Sequence, residues 1–284
     1  MICGIDGVCF LSAMLFLVSN ALKITETIKY FYRADGDYHD WKTLNPVQLE
    51  SRWKFHNEHR GIYLGEGIVN IVTWFIFCSP ILQVAWILSR GGKRRVGLHA
   101  FMALAVIGGS FVELVAKLMV MGREQIMYFL IDKFNTDKWI QSTSTEDHVG
   151  IRVIEVCFIL VRGLNLWVDA FEWLSIMFIT FAIYRSVNSM NDPPFSHGWA
   201  AFGVTVGAMA LVDFVADILR LTDYGTYQDV AILISFLNTV FLLPIWILWL
   251  GRLLPRVRPQ HKEENDRFMN GGAHTNGNNG TEMF

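Results

Sequence analysis

Long apolar runs alternate with short polar stretches along this chain, and each apolar run has about the length of one membrane crossing. A helix needs roughly 20 residues to cross a hydrocarbon core about 30 Å thick. Six segments meet this requirement, at roughly Ile2–Leu22, Ile62–Leu88, Val96–Met121, Ile151–Tyr184, Trp199–Leu221 and Asp229–Leu250. The pattern therefore predicts an all-α fold: a polytopic membrane helix bundle with about six transmembrane helices.

The first apolar segment is open to a second interpretation, as a cleaved signal peptide. Met1–Asp6 contains no basic residue, and no clean small-residue cleavage site follows the apolar core. These features favour a retained helix.

The polar segments add three expectations. Gly122–Gln141 has apolar residues at helical spacing, which predicts a short amphipathic outer-loop helix that continues span three. The end of the chain is rich in Asn, Gly and charge, so we predict a transmembrane domain over 1–251 and a disordered cytoplasmic tail over 252–284. Pro244 predicts a kink in span six.

Basic residues in the loops predict the orientation. Arg90, Lys93, Arg94 and Arg95 lie between spans two and three, and further arginines follow span six. Short basic loops stay in the cytoplasm, so both termini are predicted to be cytoplasmic. The loops Lys23–Gly61 and Gly122–Gly150 then lie on the opposite side. Lys23–Gly61 also carries basic residues, but acidic residues are interleaved with them.

Composition excludes some classes of function. The chain is 52% hydrophobic and 18% charged, whereas soluble domains carry roughly 25% charged residues. A net charge of −2 gives no reason to expect nucleic acid binding. The sequence contains no nucleophile elbow, phosphate loop or dinucleotide fingerprint, so it favours a protein that is not an enzyme and predicts no cofactor and no metal site.

Ten ionisable residues in the apolar segments are the strongest indication of function. An ionisable side chain at mid-membrane costs at least ~2.5–3.5 kcal/mol, so each needs a partner, water or a proton. With the predicted topology, all ten fall towards the outer side of the bilayer: Glu66, Glu113, Lys117, Glu155, Arg162, Asp169, Glu172, Asp213, Asp217 and Arg220.

Helical spacing and depth select among these ten residues. At 1.5 Å per residue, four acids lie roughly 20–27 Å from the cytoplasmic edge of their helices, within the outer half of the hydrocarbon core. We therefore predict a binding site formed by Glu113, Asp169, Glu172 and Asp213. Charge-balancing residues are predicted to be Lys117, Arg162, Asp217 and Arg220. Glu66 precedes a charge-free stretch and is expected at the interface.

Two functions remain open from the sequence. The first is a carrier or channel-like protein whose acidic cluster responds to protons, cations or a small solute, because the ten groups comprise seven acids and three bases. The second is a non-transporting scaffold or receptor-like protein whose intramembrane charges form a structural salt-bridge network. Under either function, the lipid bilayer is an expected partner of the protein.

Two Gly-x-x-x-Gly patterns predict where helices approach closely. They begin at Gly61 and Gly203. Glycine leaves room for a neighbouring backbone, and within a multipass bundle this favours internal packing over dimerisation.

Overall fold

Helices account for nearly all of the described chain. The structure is a computed structural model that describes residues 5–33, 58–90, 96–134, 145–222 and 224–271. The helices are α1 (Gly7–Arg33), α2 (Arg60–Arg90), α3 (Val96–Phe134), α4 (Thr145–Val187), α5 (His197–Thr222), α6 (Tyr224–Phe236) and α7 (Leu243–Gly271). A π-helical segment, Leu237–Leu242, joins α6 to α7.

Six helical stretches within the described residues are long and apolar enough to cross a membrane. They are Gly7–Thr25, Arg60–Arg90, Gly97–Ile126, Gly163–Val187, His197–Leu221 and Val230–Val257. The last of them runs through the end of α6, the π-helical segment and the start of α7. The predicted all-α bundle with six apolar helices is therefore confirmed, with each predicted span overlapping one of these stretches.

The six stretches pack as a ring in chain order. α1 packs on α2, α2 on α3, α3 on α4 and α4 on α5. α5 packs on α6 and α7, and α7 closes the ring by packing on α1. At this closure the amide of Asp6 donates a hydrogen bond to the carbonyl of Gly251 (2.8 Å). The first apolar segment is thus an integral part of this bundle, while its retention in the cell stays a prediction.

A large apolar core with aromatic contacts fixes the register of the ring. Phe16 of α1 meets Trp74 and Phe77 of α2 edge-on, with ring centroids 5.8 and 5.7 Å apart. The indoles of Trp199 and Trp246 stack at 5.2 Å, and Trp199 Nε1 donates to the Trp246 carbonyl (3.1 Å). These contacts between aromatic rings hold α1 against α2 and α5 against α7.

Only one of the two glycine patterns makes close contacts among the described residues. A Cβ atom on Gly207 would overlap the hydroxyl of Thr180, and a Cβ on Gly203 would lie 2.9 Å from Trp246 Nε1. A Cβ on Gly61 or Gly65 would meet no described atom within 4 Å. The prediction of internal close packing is therefore confirmed for Gly203 and Gly207, whereas for Gly61 and Gly65 the described residues show no such contact and it stays a prediction.

The helices extend beyond their predicted spans, and α3 and α7 extend the furthest. α3 continues to Phe134, as expected for a helix that prolongs span three. α7 continues to Gly271, so the backbone stays helical past the predicted boundary at residue 251. Residues 272–284 of the predicted tail, and residues 34–57, 91–95 and 135–144 of the polar loops, lie outside the described residues. The domain boundary and the orientation stay predictions.

Candidate functional site

The intramembrane charges gather towards the end of the ring at which α2 begins and α5 ends, here called the acidic end. Glu172 lies nine residues, about 14 Å, after the start of its apolar stretch at Gly163. Glu113 lies 13 residues, about 20 Å, before the end of its stretch at Ile126. Both side chains are buried, with 1% of Glu113 and 8% of Glu172 exposed. The acids therefore point into the protein rather than towards lipid.

Three carboxyl groups from α3 and α4 converge at the acidic end. One oxygen atom from each of Glu113, Asp169 and Glu172 lies within 4.8 Å of the other two. Asp169 and Glu172 share a face of α4 because they are three residues apart in a helix. The side chain of Ser175, one further turn along α4, lies 3.4 Å from where a Cβ of Gly109 would be. This close approach brings Glu113 across to α4. We call these three residues the acidic triad.

Lys117 provides the positive charge beside the acidic triad. Its Nζ lies 3.5 Å from Glu113 Oε1, one turn earlier on α3, and 3.3 Å from Glu66 Oε1 on α2. The Asn70 amide also donates to Glu66 Oε1 (3.4 Å). Glu66 is therefore buried within the bundle and ion-paired. It lies six residues after the start of α2 at Arg60, and its position at the membrane interface stays a prediction.

Several oxygen atoms at the acidic triad accept no hydrogen bond from any described residue. They are Glu113 Oε2, Glu172 Oε1 and the amide oxygen of Asn165. Asn165 lies one turn before Asp169 on α4, and its Nδ2 donates to Asp169 Oδ2 (3.1 Å). Glu113 and Glu172 bring carboxyl oxygens to within 4.8 Å of each other, with no described donor between them.

The arrangement has the charge and geometry to hold a cation or a proton. Around Lys117, the described side chains include four carboxyl groups: the acidic triad and Glu66. Since three oxygens lie within 4.8 Å of one another, a point between them is at most about 2.8 Å from each, close to the 2.3–2.6 Å of calcium–oxygen bonds. The sequence predicted no metal site, because these ligands come from two helices and have no fixed spacing.

Asp213 lies in a second polar cluster, between α5 and the π-helical segment. Its Oδ2 accepts a hydrogen bond from Asn238 Nδ2 (3.3 Å). One turn along α5, Asp217 forms an ion pair with Arg220 (2.6 Å). Asp217 is close enough to Asp169 for their charges to interact. The four acids predicted as one site thus divide into the acidic triad and Asp213, because Asp213 faces the last span rather than α4.

The remaining predicted charge-balancing residues have different outcomes. Lys117 and Arg220 each contact a carboxylate, as described above. The side chains of Arg162 and Glu155 lie outside the described part of the structure, so their roles stay predictions. The sequence analysis did not identify Asn238 as a site residue. The sequence does show it as a lone amide in an apolar span, six residues before Pro244.

Comparison with protein-family models, with curated proteins and with solved structures finds no match for this chain.

Proposed function

We propose that this protein is a membrane carrier or channel-like protein that binds a cation or a proton at the acidic triad. The observation that supports the proposal is the convergence of Glu113, Asp169 and Glu172 within 4.8 Å in the interior of an apolar bundle. Carboxylates held this close repel one another, and burial removes the water that would screen them. Binding a cation or a proton relieves both costs.

The proposal includes a direction of access. The acids lie nearer the acidic end than the opposite end, which is filled by the apolar core around Trp199 and Trp246. We place both termini in the cytoplasm, so the acidic end faces the non-cytoplasmic side. The loops Lys23–Gly61 and Gly122–Gly150 would then border the entrance. The ligand would be a proton, a cation or a small solute that travels with one.

Flux in liposomes tests this function. The full-length protein is reconstituted, and proton and cation fluxes are followed with a pH-sensitive dye and with isotopic cations. We expect Glu172→Gln to reduce the flux at least about tenfold, which corresponds to ~1.4 kcal/mol. Asp192→Asn is the matched control, because Asp192 is an exposed acid in the loop between α4 and α5. Absence of flux in the wild-type protein, or full flux in folded Glu172→Gln, would contradict the proposal.

A structural role is the second candidate, and the position of Lys117 favours it. Its ammonium group bridges carboxylates on α2 and α3, and such an ion pair can hold two helices in register. A scaffold of this kind predicts that neutralising Glu172 stabilises the bundle, and that cations have no effect on its melting temperature. The liposome assay separates the two candidates, because a scaffold gives no flux.

A further inference from the structure

The last apolar span contains a wide turn immediately before its proline. The π-helical segment Leu237–Leu242 ends two residues before Pro244, and the amide of Leu243 donates to the carbonyl of Asn238, five residues earlier. Pro244 has no N–H group, so the carbonyl of Thr239 or Val240 loses the helical donor that another residue would supply. π-Helical turns inside helices are frequent at functional sites.

A buried amide oxygen beside this turn has no described donor. Asn238 is 0% exposed, and its Oδ1 accepts no hydrogen bond from the residues that the structure describes. Its Nδ2 is oriented towards Asp213, which is 1% exposed. Leaving a polar atom unsatisfied in a hydrocarbon environment costs several kcal/mol. The buried carboxylate of Asp213 and the unpartnered amide oxygen of Asn238 therefore suit a positive ligand, and the carbonyl freed by Pro244 belongs to the same π-helical segment as Asn238.

The charges around Asp213 favour a monovalent ligand over a divalent one. Asp217, on the same helix, is engaged by Arg220 at 2.6 Å. Lys23, exposed near the end of the apolar stretch Gly7–Thr25 of α1, lies close enough to act electrostatically on Asp213 and Asp217. One carboxylate beside neutral oxygen atoms balances a single positive charge. The two nearby basic groups, Arg220 and Lys23, repel a second positive charge at the same place.

The surrounding helices hold the wide turn in place. Thr239 Oγ1 donates to Asn20 Oδ1 on α1 (2.8 Å), and Asn20 Nδ2 donates to the Phe16 carbonyl (2.7 Å). Thr239 also lies 2.7 Å from the Ser235 carbonyl. Together with the hydrogen bond from Asn238 to Asp213 on α5, these contacts hold the segment between α1 and α5, so Asn238 and Asp213 are positioned before any ligand arrives.

We infer that Asp213, Asn238 and the carbonyl freed by Pro244 form a second cation site, for an alkali cation such as Na⁺. Hard cations take oxygen ligands, and helices that are interrupted inside membranes coordinate Na⁺ through released backbone carbonyls. The site is separate from the acidic triad and does not depend on the function proposed for it. The proposed site combines polar atoms of the last span with Asp213 of α5.

Direct binding of ²²Na⁺ to the purified full-length protein in detergent tests this inference. Melting temperature is measured in parallel, with Na⁺ replaced by N-methyl-D-glucamine at constant ionic strength and pH. We expect saturable binding and a higher melting temperature in Na⁺. Asp213→Asn should abolish the binding, and Asn238→Leu should weaken it at least about tenfold. Asp192→Asn serves as the control with unchanged binding.

Three results would overturn the inference. The first is a wild-type protein with no saturable ²²Na⁺ binding and no Na⁺-dependent melting temperature, as expected if a water molecule or a proton satisfies these oxygens. The second is unchanged Na⁺ affinity in folded Asp213→Asn. The third is loss of Na⁺ binding in Glu172→Gln but not in Asp213→Asn, which would place the ion in the acidic triad. The wild-type measurement decides the question even when a variant fails to fold.

Discussion

Removal of the Lys117 ammonium group should destabilise the bundle more than removal of an exposed cation. Its Nζ lies 3.3 and 3.5 Å from two carboxylates, and all three side chains are at most 9% exposed. Each attraction is about 5 kcal/mol at an effective dielectric constant of about 20, and desolvation of the ions opposes it by several kcal/mol. For Lys117→Met we expect a loss of about 3–5 kcal/mol in the free energy of unfolding.

Unfolding by sodium dodecyl sulfate in mixed micelles, followed by circular dichroism, measures this loss. Arg252→Met is the matched control: Arg252 is exposed, and its removal should change the free energy by no more than ~0.5 kcal/mol. A triple variant, Glu66→Gln with Glu113→Gln and Lys117→Met, should recover most of the stability, because it leaves neither carboxylate without its cation. Equal effects of Lys117→Met and Arg252→Met would refute the ion-pair reasoning.

Two further predictions concern the packing of the ring. Gly207→Ala places a methyl group against the Thr180 hydroxyl, so we expect a loss of about 1–3 kcal/mol. In the control Gly61→Ala the new methyl group meets no described atom within 4 Å, and the change should be neutral or stabilising by up to ~1 kcal/mol. Equal effects of the two substitutions on the free energy of unfolding in detergent would contradict this prediction. Asp6 Oδ1 caps α1 by accepting from the amides of Val8 and Cys9 (3.1 and 3.3 Å), so Asp6→Ala should cost about 0.5–2 kcal/mol. Asp6→Asn should retain most of that stability, and a loss as large as that of Asp6→Ala would show that the side-chain cap is not the cause.

The sequence determined the fold class and the location of the polar residues. Apolar runs of membrane-spanning length can satisfy their backbone hydrogen bonds only as helices within hydrocarbon, so six such runs predict six spans. Helical periodicity then placed Asp169 and Glu172 on one face of α4 without any knowledge of tertiary contacts. Buried charge is costly enough that these faces had to turn inward, and the buried positions of Glu113 and Glu172 agree with that reasoning.

Only the tertiary structure decided which polar residues meet. Helical spacing gives the face of each helix but not the neighbour that it packs on, because the order around a bundle depends on contacts between residues far apart in the chain. Glu113 therefore joins α4 through the close approach at Gly109, while Asp213 turns to Asn238 on the last span. The wide turn before Pro244 is likewise a product of the fold. A proline predicts that a helical hydrogen bond is lost, but the packing of α1 and α5 around that turn determines how the helix accommodates the loss.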